Sequence, residues 1–530
     1  MHSIPLIASL FAVVAAAQTN GPIVDLGYAQ YRGTPNQTFG VTTFFGLRYA
    51  ASPTGRLRWQ PPVAIEYQND YNSSTIIDAT EQGPICVQTT PFWNITNTTS
   101  IPVQPGIEDC LLLDILVPAQ PANSRLNVLV QIHGGGYAGG NSETYPGYAL
   151  VNQSAGNLIY VSIQYRLAAF GFLAGSEIRE NGVANAGLLD QRAALDWVQR
   201  NIRFFGGDPT KVTIMGGSAG GGSVLNQMIL YGGEDNPPFR AVISERPWVQ
   251  TYHNNSVLEM QFREVLNATK CNGLACLRAL SGDELNVGQQ VALINAYVNN
   301  PRMYGFGDYW YGPTVDGEYI RDFPSRELGA GHFSKVPLLV DTETYEGFIF
   351  SNQSQRTVAD ETADFQIIFP YAKNSFWTRL YELYPASAFN STFFQRQTIY
   401  GDYIINCPTY YMASAVSDFG LPAYKLVFNA GTEEHGATRP FLHNTNASTI
   451  NNATLALWMK DWYLSFAINQ DPNAQSFSGE SKPYWPAYNL PGSMNFTVMD
   501  VNYTMVGPVQ DFWASGGCDF FRGQSSVVRN

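Results

Sequence analysis

A glycine-rich turn at residues 216–220 constrains the fold of this chain more than any other feature. The segment reads Gly-Gly-Ser-Ala-Gly, with Ser218 at its centre. The run 212–215 before it predicts a strand, and 220–230 after it predicts a helix. A serine in a sharp strand-to-helix turn presents its hydroxyl to a substrate, and a neighbouring base can activate it. The pattern alone arises by chance in a chain with 48 glycines, but its strand–helix context indicates a serine nucleophile on an α/β fold.

Short apolar runs alternate with helical patterns around this turn. Strands are predicted at residues 128–132, 158–165, 212–215, 241–244, 336–340 and 424–428, and apolar residues recur at helical spacing across 188–202. Buried strands separated by helices predict a large, mostly parallel central sheet flanked by helices. The ligand crevice of such a sheet lies at the carboxyl ends of its strands.

A second glycine-rich motif, His133-Gly134-Gly135-Gly136-Tyr137, follows a predicted strand. Adjacent glycines expose backbone N–H groups that can converge on a developing oxyanion. A flexible loop or a phosphate cradle is the alternative, but no Lys-Ser/Thr pair follows, which argues against a P-loop. A histidine and three glycines upstream of a serine turn are typical of acyl-transfer enzymes.

The composition and net charge limit the kinds of molecule that this chain is expected to bind. Charged residues make up 14% of the 530 residues and hydrophobic residues 45%, so the chain is expected to fold around a large core. The net charge of -13 argues against nucleic acid or an anionic membrane as a partner, because both require a basic surface.

The first seventeen residues predict a signal peptide. Ile4–Ala17 is apolar and ends in three alanines, a small-x-small cleavage pattern. A buried helix is the alternative. The stretch is shorter than the roughly 20 residues that a membrane span needs, and no later segment qualifies. We expect a secreted protein whose mature chain, 18–530, forms one domain.

Potential glycosylation sites and cysteines agree with secretion. Six cysteines without metal-type spacing predict three disulfides, with fifteen connectivities open. The thirteen Asn-x-Ser/Thr triplets are at Asn36, Asn72, Asn94, Asn97, Asn152, Asn254, Asn267, Asn352, Asn390, Asn446, Asn452, Asn495 and Asn502.

Several further motifs, in order, resemble the carboxylesterase type-B family, which includes cholinesterases and large fungal lipases. They are Phe45–Ala50, Glu108–Leu111, Asn185–Arg192, Phe205–Pro209, Pro313–Gly317 and Trp485–Tyr488. The resemblance covers nearly all of the mature chain. It implies an α/β-hydrolase fold and hydrolysis of small-molecule esters with neither a metal nor an organic cofactor. Oligomeric state stays open.

The resemblance also implies the site residues. A triad in the order serine, acid, histidine maps to Ser218, Glu346 and His435, with Glu346 chosen because a glycine follows it. Glu343 and Asp341 compete for the role of acid, and His443 competes for that of base. The implied oxyanion donors are the backbone N–H groups of Gly135, Gly136 and Ala219.

The same resemblance implies three disulfides, Cys86–Cys110, Cys271–Cys276 and Cys407–Cys518. The first closes a loop that contains Trp93 and lies over the active site in relatives. Possible glycans at Asn94 and Asn97 would make it a poor interfacial lid, so soluble esters are favoured over lipid droplets. Loops around Trp93, Tyr137, Trp248 and 304–311 are expected to shape the substrate pocket.

Two positions depart from the family pattern. Gly217 stands where relatives carry glutamate before the nucleophile, which argues against cationic choline esters. Ser244-Glu245-Arg246 replaces Gln-Ser-Gly, whose serine contacts the triad acid. Glu245 could share a proton with Glu346, turn outward, or be neutralised by Arg246; alternatively, this corner has repacked.

Two other classes of function remain open at this stage. A non-catalytic binding member of the family is disfavoured, because all three triad residues are present and no membrane span is predicted. An interfacially activated lipase is the other alternative to a soluble esterase.

Overall fold

The computed structural model describes residues 21–71, 74–95, 104–299, 305–446, 450–489 and 496–530. The expected signal segment and the triplets at Asn72, Asn97 and Asn495 lie outside the described residues. Tyr304, at the start of one expected pocket loop, also lies outside them.

Fourteen strands are present in the described part of the chain. In chain order they are β1 (Ile23–Asp25), β2 (Gln30–Arg32), β3 (Thr34–Asn36), β4 (Val41–Arg48), β5 (Ile76–Asp78), β6 (Leu112–Pro118), β7 (Leu126–Ile132), β8 (Leu158–Ile163), β9 (Gly207–Gly217), β10 (Ala241–Glu245), β11 (Leu338–Glu343), β12 (Ala423–Asn429), β13 (Thr497–Asn502) and β14 (Val506–Gln510). β1, β2 and β5 form a small separate sheet.

The described α-helices surround the larger sheet. They are α1 (Tyr148–Gln153), α2 (Ala168–Phe172), α3 (Ser176–Asn181), α4 (Ala186–Asn201), α5 (Ala219–Ile229), α6 (Asn255–Thr269), α7 (Leu274–Ala279), α8 (Gly282–Asn299), α9 (Pro324–Ala330), α10 (Val358–Ile368), α11 (Asn374–Leu383), α12 (Thr392–Gly401), α13 (Cys407–Asp418), α14 (Arg439–His443), α15 (Ala453–Asn469), α16 (Gly516–Gly523) and α17 (Ser525–Val528). A π-helical turn, Asp402–Asn406, joins α12 to α13.

The larger sheet has eleven strands in the order β14-β13-β12-β11-β10-β9-β7-β8-β6-β4-β3. The strands from β13 to β8 in this order are parallel. β14 at one edge and the β6–β4–β3 group at the other are paired antiparallel. The prediction of an α/β fold with a large, mostly parallel sheet is confirmed, with antiparallel strands added at both edges.

Successive residues of the central strands pack into two different apolar clusters. Ile214 and Val242 join one cluster with α5, while Met215 and Ile243 join the other with α15. Side chains alternate across a strand, so both faces of the sheet are covered by helices. This explains why these strands read as continuous apolar runs in the sequence.

Strand boundaries differ from the predicted ones by a few residues. The run 212–215 is the second half of β9, which begins at Gly207. β11 begins at Leu338 rather than at residue 336. Pro337 precedes it and has no N–H to donate to a strand ladder, which accounts for the later start.

The register of the parallel strands aligns their carboxyl ends. Ile132 of β7 pairs with Gly216 of β9, Gly217 pairs with Glu245 of β10, and Glu245 pairs with Asp341 of β11. The segments that follow these strands therefore leave the sheet along one edge, and they carry the predicted site residues.

The six cysteines form three disulfides, Cys86–Cys110, Cys271–Cys276 and Cys407–Cys518, which is the pairing that the resemblance implies. The last one joins α13 to α16. Among the described residues, no helix combines the length and apolarity required to cross a bilayer.

A buried ion pair anchors β12, the strand that precedes His435. Lys425 in β12 contacts Asp511 at 2.6 Å, and both side chains have no exposed surface. Tyr488 donates a hydrogen bond to the same Asp511 oxygen at 2.8 Å, and the N–H of Trp513 donates to the other at 3.0 Å. Removing one partner would leave a buried, uncompensated charge.

We predict that Lys425→Met lowers the free energy of unfolding by about 3–5 kcal/mol, because Asp511 stays buried without its cation. Urea unfolding of the whole chain measures this. Arg379→Met is the matched control: Arg379 pairs with Glu382 at 2.9 Å on the surface, and such a pair contributes at most about 1 kcal/mol. Equal losses in both variants would contradict the prediction.

Candidate active site

Ser218 lies between β9 and α5 with backbone angles φ 61° and ψ −126°. This left-handed φ is unusual for a residue with a side chain and marks a strained turn. Three hydrogen bonds hold the turn: Ser218 N–H donates to the Glu245 carbonyl at 3.1 Å, and the Ser218 carbonyl accepts from Gly222 and Trp248 at 2.9 Å. The turn thus presents the serine at the strand ends.

The glycines beside Ser218 are required by close backbone contacts. A β-carbon on Gly216 would lie 2.3 Å from the Gly220 carbonyl oxygen, and one on Gly220 would lie 2.2 Å from the Ile132 carbonyl oxygen. Any larger residue would push apart β7, β9 and α5. The glycine pattern recognised in the sequence therefore has a direct steric cause.

Glu346 and His435 meet at the same edge of the sheet. Glu346 follows β11 and is buried, and its Oε2 lies 2.5 Å from His435 Nδ1. Its Oε1 accepts hydrogen bonds from the Glu343 N–H at 2.8 Å and the Thr342 hydroxyl at 3.1 Å. These contacts leave Nε2 as the free ring nitrogen of His435, buried and without a hydrogen-bond partner among the described residues.

The loops that carry Glu346 and His435 are joined directly. Tyr345, the residue before Glu346, forms a parallel β-bridge with Glu434, the residue before His435. The N–H of Tyr345 donates a hydrogen bond to the Glu433 carbonyl at 2.8 Å. Gly347 then passes the α12 backbone so closely that a β-carbon would lie 1.9 Å from the Gln397 carbonyl oxygen. The glycine after the acid, used to select Glu346 in the sequence, is thus a packing requirement.

The competing residues lie in other contacts. Asp341 accepts from the Arg246 N–H at 2.8 Å and from the Tyr463 hydroxyl. His443 is buried, with Nδ1 3.2 Å from the Pro146 carbonyl oxygen. His133 Nδ1 lies 2.8 Å from the Gly134 carbonyl oxygen, and its ring stacks on Tyr165. The structure brings none of these three to the Glu346–His435 pair.

Burial controls the charge states of Glu346 and His435. It lowers the pKa of His435 to about 3, so the imidazole is neutral near pH 7 and can accept a proton. Burial also raises the pKa of Glu346 to about 6, against the lowering effect of its hydrogen bonds. Near pH 7 the pair therefore combines a carboxylate with a neutral imidazole.

The 133–137 loop lies against the serine turn. A β-carbon on Gly134 would lie 2.4 Å from the Gly217 carbonyl oxygen and 3.0 Å from the Ser218 β-carbon. Gly135 and Gly136 adopt φ 107° and 64°, which favours glycine. Ala219 is the first residue of α5, so no carbonyl one turn earlier in the helix accepts its N–H. All three proposed oxyanion donors are therefore in segments adjoining Ser218.

Four aromatic side chains, Trp93, Trp248, Tyr309 and Phe350, form an aromatic wall beside the pair. Trp248 lies 4.5 Å from Phe350 and 5.5 Å from Tyr309, and Trp93 lies 5.8 Å from Tyr309, between ring centroids. Phe350 lies 5.1 Å from the ring of His435, and Tyr309 packs on Gly136.

Two of the loops expected to shape the pocket therefore contact each other. Trp93, from the loop closed by Cys86–Cys110, donates its indole N–H to the Asp308 carbonyl at 2.7 Å. Tyr137 instead packs against Phe172 in the interior. Its expected role in shaping the pocket has no support from these contacts, because its side chain is covered by the core.

The replacement at 244–246 has a clear structural basis. Glu245 is buried rather than turned outward, and Arg246 Nη1 lies 3.5 Å from Glu245 Oε1 and 3.6 Å from Glu343 Oε1. Of the alternatives left open by the sequence, neutralisation by Arg246 matches this arrangement. The carboxyl group that adjoins Glu346 is that of Glu343.

Gly217 belongs to the same arrangement. A β-carbon there would lie 2.8 Å from Arg246 Nη2 and 3.3 Å from Glu245 Oε2. The carboxyl group of Glu245 therefore lies where a side chain on residue 217 would extend. Because that carboxylate is paired with Arg246, it does not present an unbalanced negative charge.

Glu343, Glu346 and His435 also place three potential metal-ligand atoms within 4.8 Å of one another. The donor set is poorly suited to a cation, because His435 Nδ1 already contacts Glu346 and the Arg246 guanidinium contacts Glu343. We assign no metal to this cluster.

Sequence reasoning missed the role of three residues. Thr342 and Thr438 hold the carboxyl groups of Glu346 and Glu343, and Phe350 contacts His435. The sequence held one signal that buried polar partners are needed here. Asp341 and Glu343 continue an otherwise apolar strand, and buried acidic groups require hydrogen-bonding partners. The threonines had no comparable signal.

Comparisons with known proteins agree with this geometry. The sequence profile described as "Carboxylesterase family" matches residues 20–521. Carboxylesterase patB of Aspergillus clavatus is 31% identical over 532 residues, covering 90% of this chain and 92% of its own. A secreted lipase of Arthroderma benhamiae is 29% identical over 515 residues, covering 91% and 87%. The crystal structure of Aspergillus niger EstA superposes with a TM-score of 0.83 at 27% identity, covering 96% and 99%.

The family match spans nearly the whole chain, and the relatives align over most of their own length. The resemblance inferred from the motifs is therefore confirmed. The chain belongs to the carboxylesterase family and is a carboxylic ester hydrolase with the α/β-hydrolase fold.

Proposed function

We propose that the protein hydrolyses uncharged carboxylic esters through an acyl-enzyme on Ser218, with His435 as general base and Glu346 as the acid that orients it. The contact between His435 Nδ1 and Glu346 at 2.5 Å is the observation that carries this proposal. This contact leaves Nε2 of His435 available to accept the proton of Ser218, as in a serine–histidine–acid triad.

The reaction proceeds in two halves. In the first, Ser218 Oγ attacks the ester carbonyl while His435 Nε2 accepts the hydroxyl proton and passes it to the departing alcohol. In the second, water attacks the acyl-enzyme, and His435 takes its proton and returns it to Ser218. The N–H groups of Gly135, Gly136 and Ala219 stabilise the tetrahedral oxyanion in both halves.

Charge at the site favours a neutral substrate. Glu245 is paired with Arg246, and the aromatic wall adjoining His435 is uncharged. An apolar acyl or alcohol group gains by leaving water for such a surface. The preference for soluble esters over interfacial lipid stays a prediction.

We also propose that the protein is secreted and that residues 18–530 form one catalytic domain. Three disulfides and a relative named as a secreted lipase support secretion. The eleven-stranded sheet, which draws strands from Thr34 to Gln510, and the family match over 20–521 support one domain.

Ser218→Ala is expected to lower kcat by about 10⁴-fold or more, because the nucleophile is lost. The variant should also resist labelling by a fluorophosphonate, and its thermal unfolding should match that of the wild type. Retained activity in Ser218→Ala would refute the proposed nucleophile.

His435→Ala is expected to cause a similar loss, whereas the matched variant His443→Ala should retain the chemistry. Both histidines are largely buried, but only His435 contacts Glu346. Comparing kcat of the two purified variants identifies the base. Loss of activity in His443→Ala but not in His435→Ala would identify His443, and not His435, as the general base.

On the acid side of the pH profile, kcat/KM is expected to fall as the pH drops through about 6. The reason is that protonation of Glu346 removes the carboxylate that orients His435. The sign follows from the raised pKa: the active carboxylate is present above it and lost below. Chromatographic quantification of the released alcohol measures these rates with a signal that does not itself change with pH. A limb centred near the usual glutamate pKa of about 4.3 would contradict this.

A neutral ester is expected to exceed its cationic counterpart in kcat/KM. Acetylcholine and its carbon isostere, in which carbon replaces the quaternary nitrogen, form a matched pair with equal shape. Moving the cation into an apolar site costs desolvation energy that the isostere avoids, so about tenfold or more discrimination is expected. Preference for acetylcholine would contradict the proposal.

A further inference from the structure

Glu343 lies in the interior with only part of its carboxyl group hydrogen-bonded. Its Oε1 accepts hydrogen bonds from the Thr438 N–H at 3.1 Å and the Thr438 hydroxyl at 2.9 Å. Its Oε2 is buried and has no hydrogen-bond partner among the described residues. A bare carboxylate oxygen in such a place is costly, but a protonated one would be a donor in need of an acceptor.

Glu346 is the nearest candidate acceptor. Carboxyl oxygens of Glu343 and Glu346 and a ring nitrogen of His435 all lie within 4.8 Å of one another. The Glu343 N–H already donates to Glu346 at 2.8 Å, which keeps the two side chains on one side of the β11 terminus. Two ionised carboxylates this close, away from water, would repel each other strongly.

The surrounding charges do not balance two such carboxylates. Arg246 is the buried cation at this place, and it is shared between Glu245 and Glu343. Arg439 acts from a more exposed position. The titratable and charged groups around Glu343, from all the elements packed there, are Asp341 and Glu346 on and after β11, Glu245 and Arg246 on and after β10, His435 and Arg439 after β12, Tyr145 before α1, and Tyr463 in α15.

We propose that Glu343 keeps its proton at neutral pH and donates it from Oε2 to Glu346, so that Glu343 is a positioning residue for the triad acid. This rests on the proposed triad and adds a member that acts through Glu346. Glu346 remains the negative charge that contacts His435, and the hydrogen bond from Glu343 restrains the orientation of its carboxylate.

Electrostatics support the protonated form. Burial and the charge of Glu346 raise the pKa of Glu343 to about 8, in spite of the lowering effect of Arg246. The donated hydrogen bond is therefore present at pH 7 and is lost as the pH rises through about 8. Two repelling carboxylates then replace a bonded pair, and the orientation of His435 deteriorates.

The two substitutions Glu343→Gln and Glu343→Met separate this role from simple packing. A glutamine keeps an oxygen that can accept from Thr438 and supplies an NH₂ group that donates to Glu346, so it mimics protonated glutamate at every pH. A methionine has a similar length but neither function. The readouts are kcat and KM for a neutral ester from about pH 6 to about pH 10, with thermal unfolding at the same pH values.

Wild type is expected to lose kcat as the pH rises through about 8, and Glu343→Gln is expected to lack this alkaline limb. At pH 7, kcat of Glu343→Gln should exceed that of Glu343→Met by about tenfold or more, with little difference in KM. An alkaline limb unchanged in Glu343→Gln would overturn the proposal. So would a Gln variant no more active than the Met variant.

Stability gives a second readout that does not depend on turnover. An unfolded glutamate ionises near pH 4.3, so a folded pKa of about 8 makes the wild type less stable as the pH rises between these values. The Tm of Glu343→Gln minus the Tm of wild type should therefore be larger at pH 8.5 than at pH 5. A constant difference in Tm would contradict the protonated form.

The Ser218→Ala variant distinguishes a failure of the proposed triad from a failure of the proposed role of Glu343. If it retains activity, the proposed triad fails and the role of Glu343 falls with it. If it is inactive while Glu343→Gln keeps the alkaline limb of wild type, the triad stands and only the role of Glu343 is wrong.

Discussion

The guanidinium of Arg246 lies between two carboxyl groups, at 3.5 Å from Glu245 and 3.6 Å from Glu343, and also donates to the Thr438 hydroxyl. It thereby connects the end of β10, the end of β11 and the loop after β12, which carries the proposed base, His435. Without this cation, the buried carboxyl group of Glu245 would have no counterion, which is costly in the interior. The alignment of the strand ends, and with it the proposed triad, depends on this one cation.

The two departures from the family pattern are a single structural change. Gly217 and Arg246 belong to different segments of the chain, but a β-carbon at Gly217 would lie 2.8 Å from Arg246 Nη2. The guanidinium thus uses space that a side chain at position 217 would need. The space beside Gly217 is thus filled by Glu245, the last residue of β10, and by Arg246, which follows it.

Much of the fold and the proposed triad could be predicted from the sequence, because they rest on local patterns. The turn around Ser218, the glycine after Glu346 and the apolar strands each reflect a steric or burial requirement on a few consecutive residues. The partner of Glu245 and the place of Glu343 could not be predicted so firmly. They depend on strand register and on contacts between segments distant in the chain.

The pairing of Tyr345 with Glu434 has a consequence for biosynthesis. The proposed acid and base, Glu346 and His435, are separated by 89 residues, and each lies in a loop that follows a different strand. The nascent polypeptide can therefore carry Ser218 in its finished turn and still be inert until β12 has been synthesised and inserted beside β11. Ester hydrolysis by the proposed triad therefore depends on the completed long-range assembly of the chain.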